Sequence, residues 1–103
     1  MIRVSVAYPN GEDARFDHDY YAKTHFDMCV DLYTPYGLKG VGVDKGLAGP
    51  GDMPPPYIAL GYVMFDTVEE FKNAFDAEGA GLLADVPNYT NVEPVITRRE
   101  VYL

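Results

Sequence analysis

Histidine is the side chain whose ordinary pKa lets it exchange a proton near neutrality, and this chain carries two, His18 and His25. From Asp17 to about Tyr33 the apolar residues recur with a helical period. At about 100° per residue, Met28, Tyr21, Leu32, His25, Cys29, Ala22, Tyr33 and Phe26 share one broad arc. Asp19, Lys23, Asp27 and Asp31 take the other side. His25 falls near the middle of the apolar arc, so it is expected to point at a sheet and not at solvent. There it can act as a general base, and apolar surroundings favour its neutral, basic form. The plainer alternative is a core histidine held by one hydrogen bond.

Other chemistry near it is weaker. His18 lies on the same arc, but seven residues at a 1.5 Å rise put the two rings about 10 Å apart along the axis, too far to share one ion. No metal site is expected. Cys29, one turn after His25, has the spacing of a nucleophile beside a base. Mid-helix thiols on apolar faces ordinarily behave as small hydrophobes, which is the expectation here. Tyr20, Tyr21, Tyr62 and Tyr89 each offer a ring that packs and a hydroxyl that orients a ligand. Around His25 as the catalytic candidate, the candidate substrate contacts are Tyr21, Met28, Tyr62 and Tyr89.

These side chains need a scaffold to aim them. Residues 2–8 alternate Ile2, Val4, Val6, Tyr8 against Arg3, Ser5, Ala7, the period of a strand, and Pro9-Asn10-Gly11 stops it. Asp17 is placed as the cap of the first helix, which Thr34-Pro35-Tyr36-Gly37 ends. A second strand is expected at 38–47, where Gly40 and Gly42 suggest a bulge or something lying close against the backbone. A loop at 48–56, irregular and proline-rich, is a candidate lid or an arm reaching across a dimer. The third strand, 57–65, is apolar on both faces. Asp66 with Glu69, or Thr67 with Glu70, caps a second helix that is expected to bury Val68, Phe71, Ala74, Phe75 and Leu82. A loop at 86–91 and a last strand at 95–103 complete the chain.

Strand, helix, strand, strand, helix, strand predicts an α+β domain: a ferredoxin-like βαββαβ sandwich with a four-stranded antiparallel sheet whose first and third strands lie at the centre. The whole chain, 1–103, reads as this single domain. Two helices cover one face of such a sheet. Leaving the other apolar face wet is costly at about 25 cal/mol per Å², so a homodimer is expected, its two sheets packing into a dimeric α+β barrel.

Composition narrows the partners. A formal charge of −8 repels phosphate backbones and anionic headgroups, so neither nucleic acid nor membrane is expected. No stretch has the roughly 20 apolar residues that span a bilayer, the N-terminus runs directly into a strand with no basic leader, and a cytoplasmic location is the expectation. One cysteine allows no internal disulfide. No G-x-G-x-x-G lies between a strand and a helix, so no nucleotide cofactor is expected.

The chain resembles the EthD family, named from ethyl tert-butyl ether degradation. The resemblance is carried by Asp19-Tyr20-Tyr21, Thr24-His25, Val43, Gly46-Leu47, Pro55-Pro56-Tyr57-Ile58-Ala59 and Phe65-Asp66-Thr67. It is most specific in Pro87-Asn88-Tyr89-Thr90-Asn91-Val92-Glu93-Pro94. The resemblance implies a dimeric α+β barrel and activities such as cofactor-free oxygenation, isomerisation, cyclisation or dehydration of small aromatic or alicyclic compounds. The family pattern carries over onto Tyr21 and His25. Asp27 stands where a proline is expected, implying a more regular helix, and Tyr62 stands where relatives often have a histidine. The functional expectation is a small apolar ligand between the first helix and the sheet, with His25 as general base of an oxidoreductase or monooxygenase. The alternatives are a non-catalytic binding or delivery protein, and an isomerase, cyclase or dehydratase on the same scaffold.

Overall fold

A computed structural model describes residues 1–102. Strand β1 (Ile2–Pro9) leads through a turn into α1, residues 18–33, and β2 (Gly40–Lys45) follows. Strand β3 (Tyr57–Phe65), helix α2 (Val68–Asp85) and strand β4 (Val95–Glu100) complete the fold. The sheet has the order β2-β3-β1-β4, all antiparallel, with β1 and β3 at its centre as the crossover rule requires. The expected last strand ran on to Leu103, which lies outside the described residues.

Register decides what each face carries. Val4 opposes Val63, Val6 opposes Gly61 and Tyr8 opposes Ala59 on the face beneath the helices. Val4, Val63, Phe65, Tyr33, Phe71 and Leu82 form one part of the core, and Tyr8, Tyr21, Phe26, Ala59 and Tyr89 the other. The opposite face holds Arg3, Ser5 and Ala7 of β1 with Leu60, Tyr62 and Met64 of β3, and no helix covers it. Helix α2 starts with a reciprocal capping box. The Thr67 hydroxyl accepts from the Glu70 N–H, and Glu70 Oε1 accepts from the Thr67 N–H. Asp66 is therefore not the cap, and Val68, in the first turn at the end of the sheet, stays exposed where burial was expected.

Helix α1 departs from the regular wheel. Asp17 caps it by accepting from the Tyr20 N–H, as expected, but Tyr21–His25 form a π-helical turn in which the Phe26 N–H reaches back to the Tyr21 carbonyl. The extra residue in that turn rotates everything after it by about one residue, roughly 100°. Phe26, Cys29 and Tyr33 thereby reach the core, while Met28 and Leu32 slide to its margin. The regularity implied by Asp27 in place of a proline does not hold, because the widening lies upstream of that position.

Two glycines explain how rings fit against the sheet. A Cβ on Gly61 would strike the Tyr21 hydroxyl and the Phe26 ring, so β3 is bare there to let α1 approach. On the open face the Tyr62 ring lies directly over Gly42, which accounts for that glycine without a bulge, since the β2–β3 register is unbroken. Because both rings at Gly61 are buried, Gly61→Ala is expected to lower unfolding stability by about 1–3 kcal/mol through overpacking. Urea titration followed by circular dichroism measures this, and Gly81→Ala, whose Cβ meets open space, serves as the control.

Candidate functional site

Where the π turn meets the end of α2, the side chains converge on one ring. His25 is 9% exposed. Its plane lies nearly parallel to Tyr21, 21° between planes and 5.5 Å between centroids. Tyr89 approaches from the loop after α2 at 4.8 Å. His25 Nδ1 is 2.9 Å from Asp85 Oδ2, and among the described residues Nε2 has no hydrogen-bond partner.

Asp85 is the last residue of α2, where the helix dipole disfavours an acid and where no basic residue stands in the final turn. Three donors answer that. Besides His25, the Tyr20 hydroxyl donates to Oδ1 at 2.8 Å and Asn88 Nδ2 donates to the same oxygen at 2.9 Å. Burial works to raise the Asp85 pKa, but the hydrogen bonds from Asn88, His25 and Tyr20, with the His25 charge, outweigh it and hold the carboxyl below its usual value.

The loop that carries Asn88 and Tyr89 is itself tied down. Phe16 and Thr90 form an isolated antiparallel bridge, the Asp17 N–H donates to the Tyr89 carbonyl at 2.8 Å, and Thr90 Oγ1 donates to the Arg15 carbonyl at 2.6 Å. Asn91 does the same from both ends of its amide, accepting from the Arg15 N–H and donating to the Asp13 carbonyl. The segment 87–91 thus zips the chain leaving α2 onto the chain entering α1, and this brings Asp85 and Tyr89 to His25.

A cleft of about 80 Å³ runs beside these residues between α1, α2 and the sheet. Its walls are largely apolar: Val4, Val6, Phe26, Phe71, Phe75 and Leu82, with Leu83 and Ile96 exposed at its rim. His25, Tyr21 and Tyr8 border it. Tyr8 and Tyr89 join their hydroxyls in a hydrogen bond. Burial pushes Tyr8, Tyr21 and Tyr89 above the usual tyrosine pKa, so all three stay neutral donors at physiological pH. Burial likewise pushes the Cys29 thiol up to about 12, which leaves it a packed, unreactive group and not a nucleophile.

Of the residues singled out in the sequence, Tyr21, His25 and Tyr89 come together. Met28 packs at the margin of the core; Tyr62 is among the residues lining the cleft, while its ring stacks with the Arg3 guanidinium, 4.7 Å from the ring centre, on the opposite face of the sheet. His18 sits against Phe16 at the start of α1. The loop at 48–56 contributes nothing to the cleft lining and is bound to Asn10 through the carbonyls of Pro55 and Pro56. Asp85 and Tyr8 were not anticipated. An acid ending a helix with no compensating base in its last turn was the available signal for Asp85.

No family model matches the sequence, and neither does any curated protein. Solved structures do. An EthD-like protein of Ralstonia eutropha is 38% identical and superposes with a TM-score of 0.93, over 99% of this chain and 92% of that one. An ethyl tert-butyl ether degradation (EthD) family protein of Bacillus halodurans is 16% identical with a TM-score of 0.67, over 99% of both chains. A dimeric ferredoxin-like protein from an uncultured marine organism shares the fold at 10% identity and a TM-score of 0.53, over 98% of this chain and 94% of that one.

The depressed Asp85 pKa makes a signed prediction. A carboxyl whose folded pKa lies below its unfolded value, about 3.9, adds stability that is complete above that value and is lost as pH falls through the folded pKa. Asp85→Ala is therefore expected to destabilise the protein throughout the range above about pH 4. The gap to wild type should narrow as pH drops below about 4, as measured by denaturant titrations across the acid range.

Proposed function

Because the chain belongs to the EthD family, we propose that the cleft binds a small apolar or aromatic compound and that His25 acts there as a general base in a homodimer, with no nucleotide cofactor. The observation that carries this reading is the buried imidazole itself. It is anchored through Nδ1, stacked on Tyr21, and set beside an apolar cleft with Nε2 unengaged. A base in that position removes a proton from an enol, phenol or activated C–H, leaving an electron-rich anion. Such an anion either reacts with dioxygen, as in a cofactor-independent oxidoreductase of the monooxygenase kind, or is reprotonated at another carbon. Neutral Tyr8 and Tyr21 hydroxyls supply donors to orient an oxygen on the ring. At about 80 Å³ the cleft falls well short of the roughly 300–1,000 Å³ of drug-sized sites, which favours a single ring over a polycyclic substrate.

Dimerisation follows from the uncovered face of the sheet. Ile58, Leu60, Tyr62 and Met64 are each only half-buried, Val95 is exposed, and Arg3 Nε is buried without a hydrogen-bond partner. A second copy laid sheet to sheet removes this apolar area from water and offers new partners to that nitrogen.

Light scattering at micromolar concentration is expected to give twice the 11.4 kDa chain mass, and Leu60→Glu is expected to give the single-chain mass. A monomeric wild type rejects the dimer.

For the chemistry, a panel of small phenols and ketones is expected to contain compounds that raise Tm and are consumed under oxygen. His25→Gln, which keeps a donor toward Asp85, is expected to bind them without turning them over. Unchanged turnover in that variant removes the base role, and ligands bound and returned intact by the wild type favour a carrier.

A further inference from the structure

Resting on the reading of His25 as a base, we propose that Asp85 is the positioning residue that keeps the His25 proton on Nδ1, so that Nε2 is the proton acceptor at the cleft. The assignment comes from the two oxygens of one carboxylate having separate duties. Oδ1 receives the Tyr20 hydroxyl at 2.8 Å and Asn88 Nδ2 at 2.9 Å, and Oδ2 lies 2.9 Å from His25 Nδ1. An ionised carboxylate only accepts hydrogen bonds, so the imidazole has to be the donor, and in the neutral ring a proton on Nδ1 leaves Nε2 bare.

The environment supports one charged neighbour and several neutral ones. Tyr21 stacks on the ring from its own helix, Phe26 flanks it, and Tyr89 faces it from the loop after α2. Tyr8 on β1 and Cys29 on α1 border the same cleft. The tyrosines and the thiol are all held neutral by burial. Among the described residues, Asp85 is thus the charged group that touches the ring.

This division of labour makes Asp85→Asn a sharp test. In the variant, the amide oxygen is required where Tyr20 and Asn88 donate, so the amide NH₂ takes the place of Oδ2 and points at His25 Nδ1. That nitrogen must then accept, and the ring proton moves to Nε2. The fold has every reason to survive, since shape and hydrogen-bond number are kept.

Histidine-selective ¹⁵N labelling with long-range proton correlation reads which ring nitrogen is protonated, and it needs no substrate. Wild-type His25 is expected to carry its proton on Nδ1 when neutral, and Asp85→Asn on Nε2, with the other amide resonances little changed. Tyr20→Phe, which removes one donor from the carboxylate but leaves its charge, is expected to keep the wild-type tautomer. A wild-type proton on Nε2, or identical tautomers in wild type and Asp85→Asn, overturns the proposal. If a turned-over compound is found, Asp85→Asn is further expected to cut kcat by about 10⁴-fold, the scale of a wrong-tautomer penalty at a histidine base, with KM little changed. A tautomer that switches while turnover stays unaffected leaves Asp85 as the tautomer control and refutes the base reading of His25 instead.

Discussion

One widened turn in α1 governs how the rest of the molecule packs. A regular helix through residues 18–33 would place Met28 and Leu32 close to His25 on the sheet-facing arc and leave Phe26 and Tyr33 at its edge. Accommodating one extra residue within Tyr21–His25 rotates the following segment so that Phe26, Cys29 and Tyr33 join Tyr21 and His25 on the inner side. A π turn is a rare departure from the α-helix. It permits these contacts: Tyr21 against Phe26 at 5.1 Å, Tyr21 against Tyr89 at 4.9 Å and Tyr8 against Tyr21 at 5.3 Å, each worth about 0.5–1.5 kcal/mol beyond area burial.

A second constraint works with the first. The bridge between Phe16 and Thr90, with the side chains of Thr90 and Asn91 capping backbone groups at 13–15, holds the exit of α2 against the entrance of α1. Without that tie Asp85 would be an unfavourable acid at a helix C-terminus, exposed to its own dipole. With it, the acid receives three donors and becomes the anchor for His25. Local preference is violated at Asp85, where the tertiary structure gathers three hydrogen-bond donors.

The sheet shows the same economy. Its inner face is shaped by what it lacks, since Gly61 clears space for Tyr21 and Phe26. Its outer face is apolar along β3, with Arg3 above Tyr62 and Tyr62 above Gly42. A ring covering a strand glycine shields backbone that would otherwise be wet, and the stacked guanidinium extends that cover. The features that make the inner face a cleft and the outer face adhesive are therefore set by side-chain size at adjacent positions of the same strand.

Much of this was legible in the residues. Period-two alternation located β1 and β3, Asp17 and Thr67 announced the helix starts, and the apolar arc put His25 inside, because each of these signals depends only on neighbours a few residues away. The pairing of His25 with Asp85 was not legible, nor the shift of Met28 to the margin of the core. The first joins residues sixty positions apart through a loop clasp. The second turns on a helical phase shift that ideal periodicity cannot contain. Sequence alone determined the fold class, the Asp17 cap and the inward histidine. Only the tertiary structure decided which nitrogen of that histidine is held and by what, since hydrogen bonds between distant segments exist only once the chain has closed on itself.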